Sequence, residues 1–178
     1  MNVLVIGPEG AGKSLLIKRL HKLSMHGFNS DFDDMPSTIP TVGNNLTKID
    51  ISKFEVELRE VGGAVAPLWK KYFSEAHCVI FIIDKSNQFQ YSAACMLLLT
   101  CLSNSSLKNK AILILFNKVD FPSSMPMKQV SSIFRLNDIV KSEKHEIEVV
   151  ECSCTEKTGF TQIHNWLKKS VQTFTSNY

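Results

Sequence analysis

Long apolar runs are missing from this sequence. Runs such as Cys78 to Ile83 and Ala111 to Phe116 have only six residues each, whereas a helix that crosses a bilayer needs roughly 18 or more. The first residues also lack a basic region followed by a long apolar stretch, so neither a transmembrane helix nor a secretory signal is predicted. We therefore expect a cytoplasmic protein. Its recruitment to membranes is expected to depend on partners rather than on an anchor of its own.

Cysteine pairs and blocks of basic charge are also absent. Because no secretory signal is predicted, a reducing compartment is expected. The five cysteines are an odd number without zinc-type spacing, and we expect buried thiols. Lys and Arg number 20 against 17 for Asp and Glu, so the net charge is +3. Because these charges form no long basic block, nucleic acid is not expected as a partner.

The pattern of apolar residues predicts an α/β fold. The 178 residues, 44% of them hydrophobic, are enough for one domain with a full core, which we assign to residues 1–178. Predicted strands are Asn2 to Ile6, Leu46 to Ile51, Phe54 to Arg59, Val79 to Ile83, Ile112 to Phe116 and Ile147 to Val150. One helix is predicted to begin at Ser14, and a long loop follows it from Ser24 to Pro40. The other predicted helices are Trp69 to Glu75, Phe89 to Leu102, Lys128 to Lys141 and Phe160 to Phe174. Alternating strands and helices with one hairpin predict a mostly parallel sheet with an antiparallel edge strand and helices on both faces.

The run from Gly7 to Ser14 matches the phosphate-binding pattern G-x-x-x-x-G-K-[ST] between a predicted strand and a predicted helix. Glycines let such a loop turn its backbone N–H groups toward phosphate oxygens, and the helix N-terminus adds partial positive charge. Lys13 is expected to reach the β- and γ-phosphates, and the Ser14 hydroxyl to bind Mg²⁺. The alternative is a structural glycine turn with an incidental lysine.

The base is indicated by Asn117-Lys118-Val119-Asp120, directly after a buried predicted strand. The Asp120 carboxylate can accept both the N1–H and the N2 amino group of guanine, a donor pair that adenine lacks. Asn117 can contact the base and brace the phosphate loop, and the Lys118 stem can pack over the purine. Ligands of open α/β sheets bind at the carboxyl ends of the strands, where this motif lies. Because Asp120 matches the donor pair of guanine, guanine is the predicted base.

Three further segments resemble the Arf and Arf-like branch of the Ras superfamily of small GTPases: Thr38 to Gly43, Val61 to Gly63 and Pro67 to Phe73. The resemblance extends over essentially the whole chain and implies a P-loop NTPase fold of six strands, GTP or GDP with Mg²⁺, and two switch segments. It implies that Thr41 is a metal ligand and that the Gly62 N–H meets the γ-phosphate. The nucleotide-binding residues so assigned are Glu9, Gly10, Ala11, Gly12, Lys13, Ser14, Thr41, Gly62, Gly63, Asn117, Lys118, Asp120, Ser153, Cys154 and Thr155, with the Cys154 backbone N–H expected at guanine O6.

The chain departs from the family where hydrolysis is concerned. Glu60 stands where the family has Asp, so its hold on Mg²⁺ through water is expected to shift or weaken. Ala64 stands near the position of the water-orienting Gln, and no Gln occurs between Met1 and Gln88. Glu9 is expected to put a carboxylate near the γ-phosphate. Slow hydrolysis is therefore predicted, and the segment from Arg59 to Gly63 most resembles a divergent Arf-like branch.

The surfaces for partners also depart from the family. Of its aromatic trio Tyr72 is present, whereas Asn44 and Arg59 replace the other two. Residue 2 is not Gly and the last residues form no prenylation box, so no autonomous anchor is expected. We expect a monomer that meets an effector through the first switch segment, Thr38 to Asn45, and the second, Glu60 to Tyr72. An exchange factor and an activating protein are also expected.

Three functions agree with these observations. The first is a guanine-nucleotide switch in membrane or protein trafficking, and the second is an interaction module that stays bound to GTP without hydrolysing it. The third, a nucleotide or sugar kinase, is weaker because it gives no role to the Asn117–Asp120 motif or to Thr41.

Overall fold

The computed structural model describes residues 1–27, 30, 32, 36–39, 41, 43–122, 125–141 and 145–176. The strands are β1 (Asn2–Ile6), β2 (Asn44–Ile51), β3 (Phe54–Val61), β4 (Cys78–Asp84), β5 (Ala111–Asn117) and β6 (Glu146–Glu151). They form a six-stranded sheet in the order β2-β3-β1-β4-β5-β6. The β2–β3 pair is antiparallel and every other pair is parallel, so the predicted sheet with its antiparallel edge strand is confirmed.

Helices cover both faces of this sheet. They are α1 (Lys13–His26), α2 (Tyr91–Leu102), α3 (Met127–Ile133), α4 (Leu136–Lys141) and α5 (Phe160–Ser176), with a 3₁₀ segment at Gly63–Tyr72 and short 3₁₀ turns at Gln88–Gln90 and Ser105–Leu107. None of the helices in the described part of the chain is long and apolar enough to cross a membrane.

Side chains of the central strands alternate between two cores, as the pleat of a strand requires. Ile80 and Ile82 of β4 pack with α1 and α5 on one face. Val79, Phe81 and Ile83 pack with α2, α3 and α4 on the other. All residues of β4 are buried, which explains why this strand reads as a continuous apolar run rather than an alternating one.

Two predicted helices differ in the structure. The span predicted as Trp69 to Glu75 lies in the 3₁₀ segment Gly63–Tyr72 and the turns after it, with Pro67 inside the segment and a non-helical backbone at Val65. Proline cannot donate to a regular helical ladder, so a longer α-helix is disfavoured there. The span Lys128 to Lys141 is divided into α3 and α4 at Arg135, whose φ is +50°.

One loop boundary needs correction, whereas the hairpin turn lies where it is predicted. Helix α1 continues to His26, so the predicted loop from Ser24 to Pro40 begins later than expected, and several of its residues, Pro40 among them, lie outside the described part. The β2–β3 hairpin turns at Ser52 and Lys53, with φ values of +54° and +68°. Two such residues match the right-handed twist of the flanking strands.

The ends of neighbouring strands bring distant segments together. Glu60 lies beside Val5 in the β3–β1 pair, and Asp84 lies beside Asn117 in the β4–β5 pair. Phe116 in turn pairs with Glu151 of β6. The loops that carry the predicted site residues therefore meet at one edge of the sheet, where open α/β folds bind their ligands.

Candidate nucleotide-binding site

The loop between β1 and α1 has the backbone that its glycines permit. Gly12 has a φ of +99°, and a Cβ there would lie 2.2 Å from Asn117 Nδ2. A Cβ on Gly7, whose φ is +148°, would lie 2.1 Å from the Ile82 carbonyl oxygen. Both positions combine a left-handed backbone with no room for a side chain, so they require glycine.

Lys13 lies against the inside of this loop. Its ammonium donates to the carbonyl oxygens of Gly7 at 3.0 Å and Pro8 at 2.8 Å, and the residue is 6% exposed. Burial lowers the pKa of Lys13, while the carboxylates of Glu60 and Glu9 act in the opposite direction. A lysine ammonium has three donors, so one beyond these two is available for a phosphate oxygen.

Three predicted metal ligands meet beside Lys13. Ser14 Oγ donates to Glu60 Oε1 at 2.5 Å, and Thr41 Oγ1 donates to the same oxygen at 2.9 Å. The two hydroxyl oxygens lie 3.1 Å apart. Hydroxyl and carboxylate oxygens are the donors that Mg²⁺ prefers, so the residues present fit this ion.

The base-recognition residues form a second cluster. The Thr155 hydroxyl donates to Asp120 Oδ2 at 2.9 Å, while Asp120 Oδ1 is buried with no partner in the described part of the chain. Partial burial raises the pKa of Asp120, but hydrogen bonds from Ser153 and Thr155 outweigh it and lower that pKa overall. An ionised carboxylate with a free buried oxygen suits a ligand that brings N–H donors.

Asn117 links the base cluster to the phosphate loop. Its Nδ2 donates to the Ala11 carbonyl at 2.9 Å, and its Oδ1 accepts the Cys154 backbone N–H at 3.2 Å. That N–H is the group expected at guanine O6, and here it has a protein acceptor. Ser153 Oγ accepts from the backbone N–H groups of Thr155 and Glu156, which holds the loop in a tight turn.

Lys118 is held by an ion pair that the sequence did not predict. Its ammonium lies 2.7 Å from Asp84 Oδ2, and the other Asp84 oxygen accepts from the backbone N–H and the hydroxyl of Ser86. This contact fixes the far end of the side chain whose stem is expected to cover the purine. Asp84 could have been found from its position at the end of a buried apolar run.

The segment after β3 lies against the phosphate loop. Gly62 N–H donates to the Gly43 carbonyl at 2.9 Å, so the N–H assigned to the γ-phosphate has a protein partner in this structure. A Cβ on Gly63 would lie 2.3 Å from the Glu9 backbone nitrogen, which puts Gly63 in direct contact with the loop. Trp69 anchors the segment through its indole N–H, which donates to the Gly62 carbonyl at 3.1 Å.

A cleft of about 300 Å³ lies between the phosphate loop, the loop before β2 and the end of β3. The phosphate loop forms one wall, Thr38 and Thr41 form another, and Glu60 and Ala64 close a third. Pro40 and Val42, which belong to the expected effector segment Thr38 to Asn45, lie outside the described residues.

Gln90 also belongs to this region and was missed by the sequence analysis. Its Nε2 donates to the Glu9 carbonyl oxygen at 3.1 Å. Glutamine at the start of a helix gives no local signal of such a contact, because the contact depends on how α2 packs beside the phosphate loop.

This fold and this arrangement of loops define a small GTPase, a guanine-nucleotide switch protein. Residues 1–171 match the ADP-ribosylation factor family, and the chain belongs to that family. It is 39% identical to human ADP-ribosylation factor-like protein 16 over 165 residues, which cover 93% of this chain and 83% of that protein. The resemblance to a divergent Arf-like branch is thereby confirmed.

Two other proteins extend the comparison. Over 171 residues, 95% of this chain and 84% of the relative, the sequence is 30% identical to ADP-ribosylation factor J of Dictyostelium discoideum. The fold resembles the Arl6 BBS3 small GTPase of Trypanosoma brucei, whose structure has the nucleotide analogue GppNp bound, with a TM-score of 0.80 and 97% coverage of both chains. The identity to that structure is 17%, so this likeness shows the fold.

Proposed function

We propose that this protein binds GTP and GDP with Mg²⁺ and acts as a switch whose GTP form recruits an effector in membrane or protein trafficking. The observation that carries the proposal is the contact of Thr41 with both Ser14 and Glu60. It joins the first switch segment to the phosphate loop and to β3, which is the coupling that a γ-phosphate-sensitive switch requires. The buried free oxygen of Asp120 supports guanine as the base.

Magnesium would be held by Ser14, Thr41 and Glu60, and when bound it would neutralise charge on the β- and γ-phosphates. Lys13 would donate to the same phosphates from inside the loop. The Gly62 N–H proposed for the γ-phosphate donates to the Gly43 carbonyl in this structure, so it would exchange that acceptor for a phosphate oxygen when GTP binds.

Slow hydrolysis is part of the proposal. Ala64 lines the cleft and offers no side-chain acceptor for an attacking water. A protein that keeps GTP for a long time would behave as the second candidate, a GTP-bound interaction module. The nucleotide on the purified protein, followed by chromatography over hours, separates a switch that converts GTP to GDP from a module that does not.

The surface for the effector is the pair of segments Thr38 to Asn45 and Glu60 to Tyr72. Asn44 Nδ2 donates to the Tyr72 hydroxyl at 2.8 Å, and the Arg59 guanidinium lies 5.2 Å from the centre of the Tyr72 ring. This polar cluster replaces an aromatic surface, which supports an effector different from those of the aromatic-bearing Arf proteins. Capture of proteins on the GTP-loaded form compared with the GDP-loaded form would identify it.

Nucleotide binding is tested by Lys13→Ala. Loss of an ammonium from a buried loop should abolish retention of fluorescent GDP and GTP analogues. Lys128→Ala, at an exposed position on α3, is the matched control and should bind as the unmodified protein does. Equal affinity of Lys13→Ala and the control would show that the loop does not bind phosphates.

A further inference from the structure

One carboxylate oxygen of Glu60 lies at the centre of the candidate metal site. Glu60 Oε1 is 2.5 Å from Ser14 Oγ and 2.9 Å from Thr41 Oγ1, and the two hydroxyl oxygens are 3.1 Å apart. The three oxygens come from β3, from the first turn of α1 and from the loop before β2. They form a small triangle in which every oxygen is in contact with the other two.

The size of this triangle matches magnesium coordination. Mg²⁺ binds six oxygens at 2.0–2.1 Å in a nearly ideal octahedron, so adjacent ligand oxygens are separated by roughly 2.9 Å. The sides of the triangle, 2.5, 2.9 and 3.1 Å, lie around that value. The oxygens of Glu60, Ser14 and Thr41 therefore have the spacing of one face of such an octahedron.

The length of the glutamate side chain explains why its oxygen reaches the two hydroxyls. The Glu60 backbone is held on both sides, by Val5 of β1 and by Asn45 of β2, so it cannot move freely toward or away from the site. Glu60 is 3% exposed, and the little of it that is accessible faces the cleft. An aspartate on the same backbone would end one methylene short, where only a water could complete the contact.

We infer that Glu60 binds the magnesium ion directly through its carboxylate oxygen, beside the hydroxyls of Ser14 and Thr41, and takes the place of one water ligand. The inference rests on the proposed nucleotide function and replaces the water-mediated contact expected from the sequence. Glu60 then joins the metal to β3 without an intervening water. The second switch segment, Glu60 to Tyr72, thereby begins at a residue that binds the metal.

The test counts water ligands on the metal. The protein is loaded with a non-hydrolysable GTP analogue and Mn²⁺ in place of Mg²⁺, and electron paramagnetic resonance spectra are recorded in ¹⁶O and ¹⁷O water. Line broadening by ¹⁷O measures the number of bound waters. The unmodified protein should have one water fewer than Glu60→Asp, whereas Glu57→Asp, the same exchange three positions earlier on β3, should match the unmodified protein.

A second measurement needs no variant. In protein labelled with ¹³C at the glutamate side-chain carboxyl, a directly bound carboxylate gives a contact coupling between its carbon and Mn²⁺, whereas a carboxylate beyond a water gives only a weak dipolar one. A contact coupling supports the proposal even if Glu60→Asp fails to fold, whereas an equal water count in a folded Glu60→Asp contradicts it. Absence of that coupling overturns it.

Failure of this inference can be told apart from failure of the proposed function. Retention of the nucleotide analogue is measured first, on the unmodified protein. If no guanine nucleotide is retained, both the proposed function and this inference are wrong. If the nucleotide is retained and no contact coupling is found, Glu60 acts through water as an aspartate would, and only the present inference is overturned.

Discussion

The side-chain amide of Asn117 donates to the backbone carbonyl of Ala11 at 2.9 Å, across 106 positions of sequence. The same amide accepts the Cys154 N–H through its oxygen. One side chain at the end of β5 therefore holds the phosphate loop and the last loop of the base cluster in register. A disturbance of either loop is transmitted to the other through this amide.

Asn117→Asp tests this link. A carboxylate cannot donate to the Ala11 carbonyl, so a buried acceptor loses its partner and faces a negative charge. We expect the free energy of unfolding to fall by roughly 1–3 kcal/mol and GDP to dissociate faster, measured by urea unfolding and by release of a fluorescent GDP. Asn137→Asp, at an exposed position of α4, is the control. Equal stability of the two variants would mean that the amide does not support the loops.

Asp120→Asn should change the preferred base. The variant can still accept from Thr155 through its amide oxygen, while its amide nitrogen donates to the oxygen that xanthine carries in place of the guanine amino group. Competition between GTP and XTP should shift toward XTP. Asp138→Asn, an exposed aspartate paired with Arg135, serves as the control, and an unchanged preference in Asp120→Asn would contradict the placement of the base.

The cysteines should differ in their reaction with alkylating reagents. Burial raises the pKa of Cys78 and of Cys101 to about 12, so at neutral pH almost none of either thiol is in the reactive thiolate form. Within the described part of the chain, Cys95 is the one cysteine that is not buried. Mass spectrometry after brief labelling at pH 7.5 should therefore find the label at Cys95, and at all five cysteines in urea. Native labelling of Cys78 would show that its core opens on the time scale of the reaction.

Local motifs and strand order were enough to predict that the candidate site residues lie close together. The phosphate loop and the Asn117–Asp120 motif each follow a buried apolar strand, and parallel strands end at the same edge, so their proximity follows from topology. The sequence could not predict the ion pair of Lys118 with Asp84, because it depends on how two loops lie beside one another. The direct contact of Glu60 with Thr41 depends likewise on the side-chain length at a fixed strand register.

The 3₁₀ segment Gly63–Tyr72 shows a different limit of prediction from sequence. Apolar spacing around Trp69 indicates a helix, but the backbone there is set by Pro67 and by the indole contact with the Gly62 carbonyl. Tertiary packing overrides local propensity in such a segment. The same packing leaves Ala64 exposed at the cleft, which the sequence alone could not decide.

Hydrolysis should be slower than in small GTPases that carry the water-orienting glutamine, which alone turn over at only roughly 10⁻⁴ per second. In-line attack needs an oriented water, and Ala64 has no group to orient one. The neighbours Val65 and Ala66 pack against the core and cannot substitute. We expect single-turnover assays with radiolabelled GTP to give a rate below that value for the protein without partners.

Ala64→Gln provides the decisive comparison. Because Ala64 is exposed and lines the cleft with Thr41 and Glu60, a glutamine there can extend toward the phosphate side, and the rate should rise above that of the unmodified protein. Ala93→Gln, on the exposed face of α2, controls for the substitution itself and should leave the rate unchanged. A fast unmodified protein would contradict the prediction and would point to Glu9 or Glu60, two carboxylates that line the cleft, as the group that orients the water. In that case Glu9→Gln, at an exposed position of the loop, should slow hydrolysis while nucleotide affinity stays nearly the same, because the backbone N–H groups and Lys13 of the loop are unchanged.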